Sequence, residues 1–241
     1  MLNLKPERYR LGAYGTQPIS ICGKAFVADR TGALYWPGEA TLVVADLHLE
    51  KGSSYAAAGT QMLPPYDTRE TLLRLARVID RYEPATVIAL GDSFHDADGC
   101  GRMSDDDLAI LHICQEDRRW LWIAGNHDPA ISERVGGEVR QSIEIAGLTF
   151  RHAPFPGRAT HEIAGHLHPA ARLSLYGHTL RRACFIGNGR RLVLPAYGAM
   201  TGGLNVLDPA FAPLFGNDGF AVWMLGDEGL YPVATRRLTE D

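Results

Sequence analysis

The sequence has few cysteines and no long apolar run. Its 241 residues include four cysteines, which lie far apart without a CxxC pair, so we expect neither a disulfide framework nor a cysteine-ligated zinc site. It also lacks an apolar stretch of about 18 residues, the minimum for a transmembrane helix. The first residues lack the apolar segment of a signal peptide. We therefore expect a cytoplasmic protein with reduced thiols and no membrane contact.

The sequence also has no excess of basic over acidic residues, with 24 lysines and arginines against 28 aspartates and glutamates. The formal net charge is -4, which argues against polyanion binding over the whole surface but allows a basic patch beside a site. We find no internal repeat and no low-complexity segment. Hydrophobic residues make up 46% of the chain, enough for a sizeable core. Because polar motifs of one kind run from residue 46 to residue 168, we predict a single domain over residues 1–241.

Three short apolar runs each end in residues that can bind a metal ion. Residues 41–45 precede Asp46, residues 86–90 precede Gly91 and Asp92, and residues 120–124 precede Gly125 and Asn126. Their composition predicts buried strands. Residues 66–82 and 104–115, which lie between these runs, have the helical spacing of apolar residues. This order predicts an open α/β sheet, in which ligands bind beyond the carboxyl ends of the strands.

The remaining parts of the chain are predicted to be mainly strands. A hairpin is predicted over residues 17–36, with residues 29–32 as its turn. After residue 136, glycines and polar turns separate short strand-like runs. These runs are residues 139–145, 148–152, 162–165, 171–175, 183–186, 191–194, 220–225 and 231–234. We infer two sheets packed face to face, with helices outside.

Carboxylate, amide and imidazole groups recur in five short motifs. In chain order these are Asp46-x-His48, Gly91-Asp92, Gly125-Asn126-His127-Asp128, His152 and Gly165-His166-x-His168. The alternation of His166 and His168 places both imidazoles on one side of an extended segment. Mixed oxygen and nitrogen ligands without thiolate favour Mn²⁺, Fe²⁺ or Zn²⁺ over Ca²⁺. Together the motifs predict a site for two divalent cations and hydrolysis of phosphate esters.

This order of motifs, DxH, GD, GNHD, H and GHxH, resembles the calcineurin-like metallophosphoesterase superfamily. The resemblance covers roughly residues 40–200 and implies an α/β fold, a four-layer αββα double β-sandwich. It also implies how the ligands divide between the two metals. The first metal would take Asp46, His48 and His168, the second would take Asn126, His152 and His166, and Asp92 would bridge them.

Such a site predicts a reaction at phosphorus. Two cations about 3.5–4 Å apart can share a water and generate hydroxide near neutral pH, which attacks in line with the leaving oxygen. His127 is not needed as a ligand if Asn126 serves, so we predict that it donates a proton to the leaving oxygen. Asp128 is predicted to orient His127 through the other ring nitrogen.

Further segments are similar to one clade of the superfamily, the ligase-associated DNA damage response endonucleases. These segments are residues 46–52, 166–172, 181–185 and 195–205. The similarity implies a phosphodiesterase that cleaves DNA in repair, with Mn²⁺ as the first choice of metal and Fe²⁺, Zn²⁺ or Co²⁺ as alternatives. It also implies functional association with a DNA ligase and with helicase or exonuclease repair proteins.

Basic and aromatic residues provide candidates for substrate binding. Arg172, Arg181 and Arg182, together with His178, are predicted to contact backbone phosphates, and Arg190 and Arg191 extend the cluster in sequence. Tyr55, Tyr176 and Tyr197 are candidates for stacking on unpaired bases. Because no basic groove-reading helix is visible, we predict a single-stranded DNA substrate.

Two other functions fit the same motifs. The first is a small-molecule or nucleotide phosphodiesterase or pyrophosphohydrolase of the same superfamily, because the shared motifs do not define the leaving group. The second is a metal-stabilised binding module without turnover, although loss of ligands or of the GNHD histidine would be expected there. Residues 53–59 are read as a loop near the first metal site, and as a possible rim of the substrate groove.

Overall fold

A computed structural model describes residues 15–60, 66–157, 161–175 and 177–241. The predicted stacking residue Tyr176 and the first residues of the predicted domain lie outside these ranges. Within them the chain forms two β-sheets with a few helices.

The first sheet contains seven strands of the described residues, paired in chain order. They are β1 (Thr16–Ile21), β2 (Lys24–Asp29), β3 (Leu34–Trp36), β4 (Thr41–Val44), β5 (Thr86–Leu90), β6 (Arg119–Ile123) and β7 (Glu138–Arg140). The pairs from β1 to β4 are antiparallel, and those from β4 to β7 are parallel. The carboxyl ends of β4, β5 and β6 therefore meet at one edge, as the three apolar runs predict.

The N-terminal segment predicted as one hairpin forms three antiparallel strands, β1, β2 and β3. The predicted turn is present between β2 and β3, where the backbone N–H of Asp29 donates to the carbonyl of Ala33 at 2.8 Å. A second turn at Cys22 and Gly23 separates β1 from β2, so the predicted range holds three strands. Gly23 has a φ of 75°, a conformation that glycine adopts without strain.

The second sheet contains nine strands of the described residues. They are β8 (Ser142–Ile145), β9 (Leu148–Arg151), β10 (Glu162–Ala164), β11 (Pro169–Leu175), β12 (His178–Gly187), β13 (Arg191–Val193), β14 (Leu204–Asn205), β15 (Ala221–Leu225) and β16 (Leu230–Val233). The main path runs β14-β11-β12-β13-β10-β9-β8, and β15 joins β16 to β12. Strands β9, β10 and β13 are parallel to one another.

The two sheets are connected at a point that the sequence marks only weakly. Residues 139–145 are predicted as one strand, but β7 belongs to the first sheet and β8 to the second. Gln141 alone separates them. A polar run of Arg140, Gln141 and Ser142 interrupts the apolar alternation here, which is the only local sign that the chain changes sheet.

Helices of the described residues are few. They are α1 (Lys51–Ala57), α2 (Asp67–Tyr82), α3 (Gly99–Arg102), α4 (Asp105–Gln115) and α5 (Ala212–Phe215). Helices α2 and α4 match the predicted helices, and the Ser104 hydroxyl caps α4 by accepting from the backbone N–H of Asp107. None of the described helices is long and apolar enough to cross a membrane.

Helix α1 replaces the loop predicted over residues 53–59. Glycine and serine disfavour helix formation, so local propensity does not predict it. The first turn is fixed by a distant group, because the backbone N–H of Gly52 donates to the carboxylate of Asp67 at 3.1 Å. The contact with Asp67 of α2 therefore outweighs the low helix propensity of this segment.

Alternation along β5 shows how the layers pack. Val87 and Ala89 contact α2 and α4, whereas Ile88 and Leu90 face the second sheet. Both faces of the first sheet are therefore buried, which explains the continuous apolar run. The outer face of the second sheet is covered by α5 and its flanking turns through Phe211. The four-layer αββα arrangement is confirmed, with a thin fourth layer.

Candidate metal centre

Five of the predicted ligands share an uncommon backbone conformation. Asp46, His48, Asp92, His166 and His168 all have positive φ, between 43° and 72°. Few residues other than glycine adopt this region, and such residues concentrate at functional sites. The turns at the ends of β4 and β5 are connected, since the backbone N–H of His48 donates to the carbonyl of Asp92 at 2.9 Å.

The first predicted ligand set comes together in the structure. The Nε2 atoms of His48 and His168 are 3.2 Å apart, and His168 Nε2 is 3.4 Å from Asp46 Oδ1. One ligand atom from each of these residues lies within 4.8 Å of the others. The carboxylate of Asp46 is held by the backbone N–H of His166 at 2.9 Å.

The second set also converges. His152 Nε2 lies 3.0 Å from His166 Nδ1, 2.9 Å from Asn126 Oδ1 and 3.4 Å from Asp92 Oδ2. Its other nitrogen, Nδ1, is 2.9 Å from the carbonyl of Leu90, which can only accept. The proton is therefore on Nδ1, and Nε2 faces the other ligand atoms.

Each set combines residues from both sheets. In the first set, Asp46 and His48 follow β4 of the first sheet, and His168 directly precedes β11 of the second. In the second set, Asp92 follows β5, whereas His152 follows β9 and His166 follows β10. The centre is therefore built where the edges of the two sheets meet.

The charges and donor atoms fit divalent cations. Asp46 is fully buried and Asp92 is 2% exposed, and among the described residues their ion-pair partners are histidines rather than lysines or arginines. Burial, with the neighbouring His168, lowers the pKa of His48 to about 3, so its ring is neutral with a free lone pair. Two buried carboxylates without a lysine or arginine partner among the described residues are stabilised by positive charge between them.

Asp92 occupies the position expected of a shared ligand. Burial opposes its charged form, but the contact with His152 and the hydrogen bond from the backbone N–H of His127 hold the pKa of Asp92 well below its usual range. Its charge also acts on His48 of the first set. The bridging role stays a prediction.

Glycines allow the turns to approach closely. A Cβ on Gly125 would lie 2.2 Å from both the backbone nitrogen and Oδ1 of Asp92. Gly91 has a φ of 74°, and a Cβ there would lie 2.5 Å from the ring of His152. No side chain fits at either position without moving a candidate ligand.

The structure corrects the predicted role of Asp128. Its carboxylate accepts from the backbone N–H groups of Ser93, Phe94 and Gly125 at 2.7, 3.0 and 3.1 Å. The ring of His127 instead donates from Nδ1 to the carbonyl of His95 at 2.9 Å. Burial raises the pKa of Asp128 to about 6. Asp128 therefore positions the two ligand loops and does not contact the His127 ring.

His95 is a residue of the centre that sequence reasoning missed. Its Nδ1 is 3.4 Å from His48 Nδ1, and its ring stacks on that of His127 with centroids 5.5 Å apart. The ring of Tyr55 in α1 also lies beside His95, with ring centroids 5.7 Å apart. The three residues Tyr55, His95 and His127 form a row of rings, here called the ring row. The position of His95, three residues after the predicted ligand Asp92, is the one sequence feature that could have identified it.

The predicted phosphate-binding arginines do not form one stripe. Arg172 and Arg181 are opposite each other on β11 and β12, and both contact the end of the chain. Arg172 donates to the carbonyl of Glu240, and Arg181 Nε is 3.0 Å from the Asp241 carboxylate. Arg182 is the next residue along β12, so it points to the opposite face.

His178 lies far from the centre. It begins β12 at the tip of the hairpin with β11, which spans seven residues. At roughly 3.3 Å per residue, this tip lies roughly 20 Å from His168. Arg182 pairs with Ala171, three residues after His168, which is roughly 10 Å along the strand.

Two of the other basic and aromatic candidates, Arg191 and Tyr197, are buried. Arg191 is fully buried, with Nε 2.6 Å from Glu162 Oε2, and it donates to the carbonyl of Leu214. Arg190 is exposed and lies 3.8 Å from the Asp218 carboxylate. Tyr197 is fully buried. The predictions that Arg191 contacts phosphate and that Tyr197 stacks on bases are therefore wrong.

Comparison with known families agrees with this geometry. The family model of the calcineurin-like phosphoesterases matches residues 40–179, which include all seven predicted metal ligands. The chain belongs to the calcineurin-like phosphoesterases. It is a metal-dependent phosphoesterase of the binuclear-metal type.

This calcineurin-like phosphoesterase also resembles a solved nuclease. The crystal structure of Pseudomonas putida nuclease MPE aligns with a TM-score of 0.69 and 27% sequence identity. The alignment covers 90% of this chain and 100% of the nuclease. No protein of curated function matches this chain.

Proposed function

We propose that this phosphoesterase is a manganese-dependent endonuclease that hydrolyses phosphodiester bonds of single-stranded DNA during cytoplasmic DNA repair. The observation that carries the proposal is the pair of converging ligand sets, in a chain that aligns over 90% of its length with a nuclease. A functional association with a DNA ligase and with helicase or exonuclease repair proteins belongs to the same proposal. Iron, zinc or cobalt are the alternative metals.

The exposure of the histidines of the metal centre is consistent with a large substrate. Asp46 is fully buried and Asp92 is nearly so, whereas the side chains of His168 and His127 are 21% and 43% exposed. The centre is therefore reached from the side of the histidines. A phosphodiester in a long strand can approach from there without entering a closed pocket.

The predicted ligands would hold two cations that act as Lewis acids on the phosphate and on the attacking water. The chain itself contributes proton transfer. His127 Nε2 is 3.9 Å from Asp92 Oδ2, so it points at the centre while Nδ1 donates to the His95 carbonyl. A protonated His127 in this orientation can donate to the leaving oxygen.

The ring row favours unpaired bases. Tyr55, His95 and His127 present successive rings beside the first ligand set. A base released from pairing can stack on such a row, whereas a base inside a duplex is already stacked on its neighbours. This arrangement supports single strands over duplexes.

The test is cleavage of a circular single strand against a blunt duplex of the same sequence in Mn²⁺. A circle has no ends, so linear products demonstrate internal cleavage. We expect the duplex to be cut at least about tenfold more slowly, because opening base pairs costs a few kcal/mol. Preference for the duplex would remove the single-strand proposal.

Hydrolysis of cyclic AMP without DNA cleavage would favour the small-molecule alternative.

The role of His127 gives a separate prediction. His127→Ala should lower kcat roughly a hundredfold or more for a thymidine dinucleotide, whose leaving oxygen needs a proton. The loss should be much smaller for the p-nitrophenyl ester of thymidylate, whose leaving group needs none. Steady-state kinetics on both substrates measure this, and His112→Ala, at an exposed histidine, is the control. Equal losses on both substrates would mean that His127 does not act on the leaving group.

A further inference from the structure

A second basic feature lies outside the metal centre. A cavity of about 500 Å³ is lined by five arginines, Arg30, Arg74, Arg77, Arg81 and Arg182, and by one carboxylate, Asp227. We call this cavity the arginine cleft. Its lining is positively charged, although the chain as a whole has a formal net charge of -4. Sequence reasoning found only Arg182 of this group.

Three separate elements bring these arginines together. Arg74, Arg77 and Arg81 recur at helical spacing along α2, so they lie on one side of that helix. Arg30 comes from the turn between β2 and β3, and Arg182 from β12 of the other sheet. Like charges three and four residues apart destabilise a helix.

Most of these guanidinium charges are not neutralised by the protein. Arg81 is paired with the buried carboxylate of Asp29 at 2.5 Å. Arg182 has one carboxylate partner in the described part of the chain, Asp227 at 3.7 Å, whose side chain is 92% exposed, and such an exposed pair contributes little. Arg30 donates to a carbonyl oxygen, that of Asp227. Much of the positive charge therefore faces the cavity.

Two further arginines have no carboxylate partner among the residues that the structure describes. Arg74 lies over the ring of Tyr197 at 4.5 Å and donates to its carbonyl oxygen, while its buried Nε has no hydrogen-bond partner among the described residues. Arg77 is exposed and forms no ion pair within the described ranges. A buried donor without a protein partner can be satisfied by a bound ion or by water.

The cleft adjoins the metal centre through the chain segment around Tyr197. That segment lines the cleft, and its backbone N–H groups at Tyr197 and Gly198 donate to the carbonyls of Ala45 and Asp46 at 2.8 and 3.1 Å. Arg182 lies roughly 10 Å along the sheet from His168. A flexible chain of phosphates could therefore extend from one site to the other.

We propose that the arginine cleft binds two or more consecutive phosphate groups, either in a nucleic-acid strand or in a free oligophosphate. Planar guanidinium groups bind phosphate oxygens in pairs, and several of them around one cavity suit several phosphates better than a single anion. The proposal stands apart from the nuclease assignment, because it needs no cleavage.

The test measures binding of two probes to the full chain, inorganic tripolyphosphate and a short phosphorothioate oligothymidylate that resists cleavage. Titrations are done with Mn²⁺ and again with EDTA, since phosphate bound only at the metal centre is lost with EDTA. Arg77→Glu should weaken binding of both probes about tenfold and reduce the steepness of the salt dependence. Tighter binding of the oligonucleotide would identify a strand as the ligand, and tighter binding of tripolyphosphate a free oligophosphate.

Matched variants separate the cleft from general surface charge. Arg119→Glu makes the same charge change at an exposed residue on the first sheet, paired with Glu138, and should change affinity by less than about twofold. Arg182→Glu provides a second variant inside the cleft. Wild-type affinity in both cleft variants, or loss of all binding in EDTA, would overturn the proposal. Weaker tripolyphosphate binding in both cleft variants, in a protein whose wild type does not cut DNA, would support the cleft and reject only the nuclease function.

Discussion

Asp92→Ala is expected to lower kcat/KM for bis(p-nitrophenyl) phosphate roughly a thousandfold or more. Asp92 is the one carboxylate in the second ligand set among the described residues, and it is held by the backbone N–H of His127 at 3.0 Å. A cation stabilises transition-state charge by several kcal/mol, and each 1.36 kcal/mol is about a factor of ten in rate. Kinetics combined with elemental analysis of bound manganese measure the effect.

The control for this variant is Asp98→Ala. Asp98 is an exposed carboxylate six residues further along the chain, at the start of α3, and its removal should leave both activity and metal content close to those of the wild type. Should Asp92→Ala retain activity with two manganese ions per chain, the proposed bridging role would be wrong.

Gly125→Ala is expected to damage both the centre and the fold. Its Cβ would lie 2.2 Å from the backbone nitrogen of Asp92, which cannot move away as a flexible side chain can. Overpacking of this kind costs about 1–3 kcal/mol, which corresponds to a fall in Tm of roughly 2–12 °C for a chain of this size. Displacement of Asp92 by about 1 Å would cost roughly a hundredfold in kcat. Thermal unfolding and kinetics give the two values.

Gly101→Ala is the matched substitution. Gly101 lies in α3, where a Cβ would have no atom within 4 Å and alanine favours the helix. It should therefore leave Tm and kcat unchanged or raise Tm slightly. Equal behaviour of the two variants would show that the ligand loops tolerate displacement.

The sequence predicts the elements that bring the ligands to one edge. Strands β4 and β6 match the apolar runs to within one residue at each end, and β5 matches its run fully, because both faces of this sheet are buried. Helix α4 was predictable from its capping residue Ser104. The ligand sets follow from the motif order, since each motif comes directly after or before a strand.

Other features depend on contacts that no local pattern contains. The change of sheet at Gln141 depends on which neighbouring strands are available. Arg181 and Arg182 are adjacent in sequence but point to opposite faces of β12, so a basic cluster in the sequence becomes two separate surfaces. Adjacency in sequence predicts that Asp128 orients the ring of His127. In the structure the Asp128 carboxylate instead accepts from three backbone N–H groups, two of them from another loop.

Each ligand set draws on both sheets of the sandwich. An ion held by either set would therefore act as a cross-link between the two halves of the protein, in place of a disulfide. Any motion that separates the halves opens both sets at once. Because an ion bound to both halves binds the folded state only, metal binding would stabilise the sandwich against unfolding, and the supply of metal would affect the stability of this protein as well as its turnover.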